Sequence, residues 1–168
     1  MRVLGIDPGS RVAGFGVVET AGSAVRYVDS GTIPLRDGSV AARLARLHAA
    51  CRDLVARCAP AAVVLERAFV ARNVQSALRL GEARGAVLAA LADHGAVFEY
   101  TPAEVKIAAV GHGAADKDAI RTGVAVQLGL RADRLATDAA DALAVALCHL
   151  LRAPLAARIA TAEVRARR

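Results

Sequence analysis

Four carboxylates, Asp7, Glu66, Asp138 and Asp141, sit at the ends or on the faces of apolar segments. Asp7 and Glu66 each close a short apolar run, residues 3–6 and 61–65. Asp138 and Asp141 lie three apart among Ala139, Ala140, Ala142, Leu143, Ala144 and Val145, so on a helix both project from one side of an apolar rod. Like charges on a buried element are costly unless cations or donors compensate them, and the nearby sequence offers only Arg134 as an evident cation. A bound divalent metal would resolve the problem. Oxygen ligands without His or Cys favour Mg2+ or Mn2+ over zinc. Two such ions about 4 Å apart can activate a water and stabilise the leaving oxygen of a phosphodiester. Taken singly, Asp7 also reads as a turn residue before Pro8-Gly9, and Asp138 as an acid favoured by a helix N-terminus. Glu66 and Asp141 have no such simple use, and the conjunction of the four argues for one shared site.

The acids can meet only if the elements bring them together. Residues 2–6 read as a buried strand broken by Asp7-Pro8-Gly9-Ser10, and residues 12–18 and 25–33 as two more strands of an antiparallel meander. From 39 to 57 the apolar period becomes helical, and Ala59-Pro60 ends that helix. Residues 61–65 are apolar throughout, as in a central parallel strand. A helix over 73–93 with Gly95 at its stop, a strand over 96–100, and a helix opened by Thr101-Pro102-Ala103-Glu104 follow. Residues 115–128 make another helix, and the last begins near Thr137 or Asp138 and ends before Pro154. The order βββ-α-β-α-β-α-α-α predicts a mixed five-stranded sheet flanked by helices on both faces, not a Rossmann fold, which opens βαβ. If the strands ending in Asp7 and Glu66 are parallel neighbours, the two acids lie side by side.

Of the 168 residues, 55% are apolar and 23% charged, as expected for one globular domain. The longest uncharged run, residues 142–151, falls short of the roughly 20 needed to cross a bilayer, so a soluble, cytoplasmic protein without membrane contact is expected. Cys51, Cys58 and Cys148 read as small buried thiols. Much of the net charge of +6 sits in the last residues, giving a domain over 1–154 and a basic, flexible tail over 155–168. Lys106 and Lys117 are the only lysines. Phe69 follows the Glu66 strand between Arg67 and Arg72, a setting that suits base stacking at distorted nucleic acid, with a buried anchor for the loop as the lesser alternative. Ala77, Gly81 and Gly85 form a small-residue stripe at which a second helix, or the chain's own sheet, can pack closely.

The blocks Leu4-Gly-Ile-Asp-Pro-Gly-Ser-Arg-Val-Ala-Gly-Phe-Gly-Val17, Leu65-Glu-Arg-Ala-Phe69, Asn73-Val-Gln-Ser-Ala-Leu-Arg-Leu-Gly-Glu-Ala-Arg-Gly85, Tyr100-Thr-Pro-Ala-Glu-Val-Lys106 and Thr137-Asp-Ala-Ala-Asp-Ala-Leu-Ala144 resemble the RuvC family of bacterial Holliday-junction resolvases. The resemblance runs in order along nearly the whole chain. It implies a ribonuclease-H-like fold, a homodimer, and paired Mg2+-dependent nicks across a four-way DNA junction in recombination and repair. It also implies that Asp7, Glu66, Asp138 and Asp141 are the metal ligands, with Lys106 and Lys117 facing the scissile phosphate. Phe69, Arg67 and Arg72 become candidate DNA contacts, and a branch-migration complex of RuvA and RuvB an implied partner. One departure is Arg67, where the family commonly has Gln.

Other readings exist. The turn after Ile6 also resembles the first phosphate loop of actin-like ATPases, but those bind nucleotide between two similar domains, and this length supplies one. A ribonuclease-H-like nuclease acting on RNA would use the same acids. A DNA-binding scaffold would leave them unexplained, because carboxylates repel phosphate unless a metal intervenes.

Overall fold

Branched and apolar residues build five strands: β1 (Arg2–Asp7), β2 (Val12–Ala21), β3 (Ala24–Pro34), β4 (Ala62–Glu66) and β5 (Val97–Tyr100). The computed structural model describes residues 1–22, 24–67 and 73–166, with side chains described as far as residue 153. The strands form one sheet in the order β3-β2-β1-β4-β5. The first three are the antiparallel meander that the sequence predicts, and β4 and β5 add to it in parallel. Parallel addition requires helical crossovers, supplied by α1 (Val40–Cys58) and α2 (Val74–Ala90). Three further helices follow: α3 (Pro102–Val110), α4 (Lys117–Leu128) and α5 (Thr137–Ala166).

The helices start where side chains satisfy their free N–H groups. Ser39 accepts from Ala42, Asn73 from Gln75 and Ser76, and Asp116 from Ala119, while Thr101 and Glu104 form a reciprocal capping box. Helix α2 ends three residues earlier than expected, at Ala90. A turn then leads to Gly95 at φ +77°.

The sheet is covered on both faces. Leu4, Ile6, Val17, Val63 and Leu65 pack against Leu47, Cys51 and Leu54 of α1 and Ala83 and Val87 of α2. On the other face Val3, Val18 and Val64 meet Val105 of α3, Val124 of α4 and Leu143 and Leu147 of α5. Helix α5 is the central rod: every residue from 142 to 150 is buried, as its lack of a polar face requires. Its far end corrects the sequence reading. The helix does not stop before Pro154 but continues to Ala166. Proline removes one backbone donor and costs about 3 kcal/mol inside a helix, but Leu, Ala, Arg and Glu dominate the residues that follow and carry the helix on.

Among the described residues no helix is long and apolar enough to cross a membrane. The three cysteines are free and buried, and burial pushes the thiols of Cys51 and Cys148 up to about 12, which leaves them unreactive.

Candidate active site

Strand alternation decides which way the first two acids face. Val3 of β1 belongs to the α5 side of the sheet while Leu4 and Ile6 face α1 and α2, so Asp7 takes the α5 side. By the same count Glu66 follows Val64 onto that side, with Val63 and Leu65 opposite. The parallel register of β1 and β4 ends at Ile6 opposite Leu65. Asp7 and Glu66 are the next residue on each strand and stand together at the carboxyl edge.

Helix α5 reaches this edge because the sheet beneath it is paved with glycine. A Cβ on Gly14, the cross-strand partner of Asp7, would lie 1.9 Å from the Asp138 carbonyl oxygen. One on Gly5 would lie 2.0 Å from the Ala142 carbonyl, and one on Gly16 2.6 Å from Leu143 Cγ. Only glycine allows the helix backbone so close. The seating carries the first turn of α5, with Asp138 and Asp141, onto Asp7.

Asp7, Glu66 and Asp141 line one open cleft of about 440 Å3 together with Lys106 of α3 and Lys117 of α4. Asp138 is not among the lining residues, and reaches the site through its charge, which acts on Asp7 and Lys117. Lys117 Nζ donates to Asp141 Oδ2 at 3.0 Å. Burial, then the charges of Asp141, Glu66 and Asp138, push the Asp7 carboxyl up to about 7 against the pull of Lys117. Glu66 is raised for the same reasons, burial first and Asp141 next, with Lys117 and Lys106 opposing. Lys117 is itself held above the usual lysine value, chiefly by its hydrogen bond to Asp141. The edge is therefore short of positive charge at neutral pH.

The donors suit a hard divalent cation in kind: they are carboxylate oxygens, with no His or Cys among the cleft residues. Among the described residues no three Asp, Glu, His or Cys side chains are gathered closely enough to enclose an ion as they stand. Asp141 is instead held by Lys117.

Arg134 does not compensate Asp138 and Asp141; it lines a separate cleft with Tyr27, Ser30 and Arg131, and the long-range cation is Lys117. Arg67 is exposed and turns to Glu99, 3.9 Å away, and is not among the residues lining the acidic cleft. Phe69 and Arg72 lie outside the described residues.

Three residues escaped the sequence reading. Asp116 lines the cleft while capping α4, and its position ahead of a helix start signals the cap alone. His149 is buried on α5, and its Nδ1 lies 3.0 Å from the Tyr100 hydroxyl; burial pushes its pKa below the ordinary value. Arg84 of α2 donates to the backbone carbonyl of Glu66 at 2.9 Å, a contact with no local sequence signal.

Residues 3–149 match the family described as Crossover junction endodeoxyribonuclease RuvC. A protein of that name from Alkalilimnicola ehrlichii is 51% identical over 160 residues, covering 94% of this chain and 96% of its own. The structure of Thermus thermophilus RuvC in complex with Holliday junction substrate superposes with a TM-score of 0.85 at 36% identity, covering 93% of this chain and 96% of that one. The yeast mitochondrial Holliday junction resolvase shares the fold, with a TM-score of 0.63 at 16% identity over 87% of this chain and 76% of its own. With an acidic cleft at the joined ends of β1, β4 and α5, and a match spanning its whole sheet, the chain belongs to the RuvC family of crossover junction endodeoxyribonucleases.

Proposed function

We propose that this chain resolves four-way DNA junctions by paired, symmetric hydrolysis of phosphodiesters at the cleft of Asp7, Glu66 and Asp141. The observation that carries the reading is the convergence of three acids from β1, β4 and α5 with two lysines from α3 and α4 around one open cleft. The T. thermophilus relative solved on a Holliday junction names the substrate class. In this reading Asp7, Glu66, Asp138 and Asp141 hold two Mg2+ ions, with Mn2+ as a substitute. Bound there, the metal supplies an activated water and charge for the leaving oxygen.

The chain's own groups do the rest. Lys106 and Lys117 present fixed positive charge to the scissile phosphate. Lys117 rests on Asp141 at 3.0 Å, and Asp141 would turn to a bound metal as one of the residues that hold it. The glycine seat under α5 holds Asp138 and Asp141 in register with Asp7 without spending flexible side chains on the task.

Resolution without loss of DNA needs two nicks related by a two-fold axis, which a homodimer supplies. Helix α2 supports such a pairing. Val74, Leu78, Gly81, Gly85 and Leu88 recur at alternating spacings of four and three along one exposed stripe. Val74 is 74% and Leu78 63% exposed, and a Cβ on Gly81 or Gly85 would meet nothing within 4 Å. The stripe therefore does not pack on its own sheet; Ala83, Val87 and Ala90 do that. RuvA and RuvB are the branch-migration partners that the family resemblance brings to this reading, in a cytoplasmic setting.

The test is incision of a synthetic four-way junction, a linear duplex and a structured RNA, each with Mg2+ and with chelator. Symmetric nicks in the junction alone, and only with metal, are expected. Preferential cleavage of the RNA, or junction cleavage in chelator, would contradict the reading.

A further inference from the structure

Glu66 is the last residue of β4, one beyond the final register pair with β1, and on the other side it stands opposite Tyr100 in the last pair with β5, so its main chain is held by strand pairing from β5 alone. Its carbonyl takes a hydrogen bond from Nη1 of Arg84, at 2.9 Å. Nη2 of the same guanidinium donates to the Glu99 carboxylate on β5. The Arg84 side chain is only 15% exposed, so the charge is largely withdrawn from solvent and held between two fixed acceptors. A planar fork serves two acceptors at once and loses little freedom in doing so. Arg84 therefore staples three elements: α2 through its own backbone, β5 through Glu99, and the end of β4 through the residue that carries the acidic side chain.

We propose that Arg84 is a positioning residue for the metal site, holding the Glu66 main chain so that its carboxylate enters the cleft. The proposal rests on the nuclease reading above. Arg84 is not among the residues lining the cleft, and its link to the site runs through the Glu66 carbonyl. Its neighbours on α2 divide the work: Ala83 and Val87 bury into the core, Gly85 faces outward, and Arg84 reaches sideways to the strand end. The helix that carries the exposed stripe is in this way tied to a site carboxylate.

Groups that orient ligands from behind change metal affinity by about 10–100-fold when removed. The experiment compares Arg84→Gln, Arg84→Lys and Val87→Ala in the full chain. Calorimetric titration with Mn2+ alone, without DNA, reads metal binding; the Mg2+ concentration at half-maximal junction incision reads the same property during catalysis; junction affinity in chelator reads DNA binding. Arg84→Gln should weaken Mn2+ binding and raise the Mg2+ requirement by about 10-fold or more, with junction affinity unchanged. Arg84→Lys keeps the charge but cannot reach both acceptors, and should shift both quantities the same way by less; it takes over the test if the glutamine variant does not fold. Val87→Ala loosens the same helix from the core without touching Glu66, and should lower the unfolding midpoint but leave Mn2+ affinity alone. Wild-type Mn2+ affinity in a folded Arg84 variant, or an equal loss in Val87→Ala, overturns the proposal. Because the Mn2+ titration needs no DNA, failure of the nuclease reading shows separately, as a wild-type protein that binds Mn2+ but nicks no junction.

Discussion

Gly14 of β2 lies so close to Asp138 that a Cβ on the glycine would stand 1.9 Å from the aspartate's carbonyl oxygen. Because Gly14 is also the cross-strand partner of Asp7, this one contact sets the spacing between the first strand's acid and the last helix's. Gly14→Ala must push the start of α5 off the sheet. A destabilisation of about 1–3 kcal/mol is expected from overpacking, with a larger loss of incision than of junction binding. Urea unfolding read beside junction incision checks it. An alanine variant of wild-type activity would show that the seat does not set the site.

The metal-free site should make stability fall with pH. Asp7 titrates near 7 in the folded protein against 3.8 as its ordinary value, so folding binds a proton between those limits. Its contribution is fully present below pH about 4 and is lost as pH rises through about 7. Asp7→Asn removes that dependence and, in chelator at pH 8, should be more stable than wild type by on the order of a few kcal/mol. Parallel wild-type and Asp7→Asn stability curves between pH 4 and 8 would show that Asp7 is not the buried, crowded acid described here.

Lys117 opposes the rise of the Asp7 pKa, so its removal should exaggerate it. Lys117→Met should move the Asp7 carboxyl titration, followed by carbon-13 chemical shift without metal, to higher pH. The ammonium stem is 70% exposed, so the pair with Asp141 should be worth no more than about 1 kcal/mol of stability. A downward or absent Asp7 shift would contradict the geometry.

The exposed stripe on α2 should govern assembly and not folding. Leu78 is 63% exposed and, among the described residues, belongs to neither core cluster, so Leu78→Glu should leave the unfolding midpoint of the monomer near that of the wild-type chain. Its sedimentation mass should fall to that of one chain, with paired incision replaced by single nicks. A stable Leu78→Glu dimer would move the interface elsewhere.

Phe69 and the basic side chains should separate in a salt series. Each phosphate contact steepens the fall of log affinity with log salt by about 0.9 on any duplex, whereas a stacked ring rewards splayed bases by about 1–3 kcal/mol. Phe69→Ala should therefore weaken the preference for junction over linear duplex with the salt slope unchanged. A variant of lowered stability and intact preference would make the ring a core anchor.

Much of this site was legible in the sequence because its acids interrupt strong local patterns. Asp7 and Glu66 end apolar runs, and Asp138 and Asp141 break an otherwise apolar helix, so their cost in a core is visible residue by residue. The capping box of Thr101 and Glu104 was legible for the same reason, being complete within four residues. What escaped depends on distance along the chain. Lys117 meets Asp141 across 24 positions and Arg84 meets Glu66 across 18, and no spacing rule joins such pairs. The alternate glycines Gly5, Gly14 and Gly16 gave a signal that reads only once α5 is laid upon them. Pro154 is a poor guide to the end of α5 because one unfavourable residue is outweighed by the helix formers that follow it.

The acids should act through metal on the phosphodiester and not in holding DNA. The most direct measurement is a paired assay on Asp7→Asn protein: affinity for a synthetic four-way junction in chelator, and incision of the same junction in Mg2+. Junction affinity at or above wild type is expected, because a negative charge has been removed near phosphate, together with the near-complete loss of both nicks. Near-normal incision by Asp7→Asn protein in Mg2+ would contradict it.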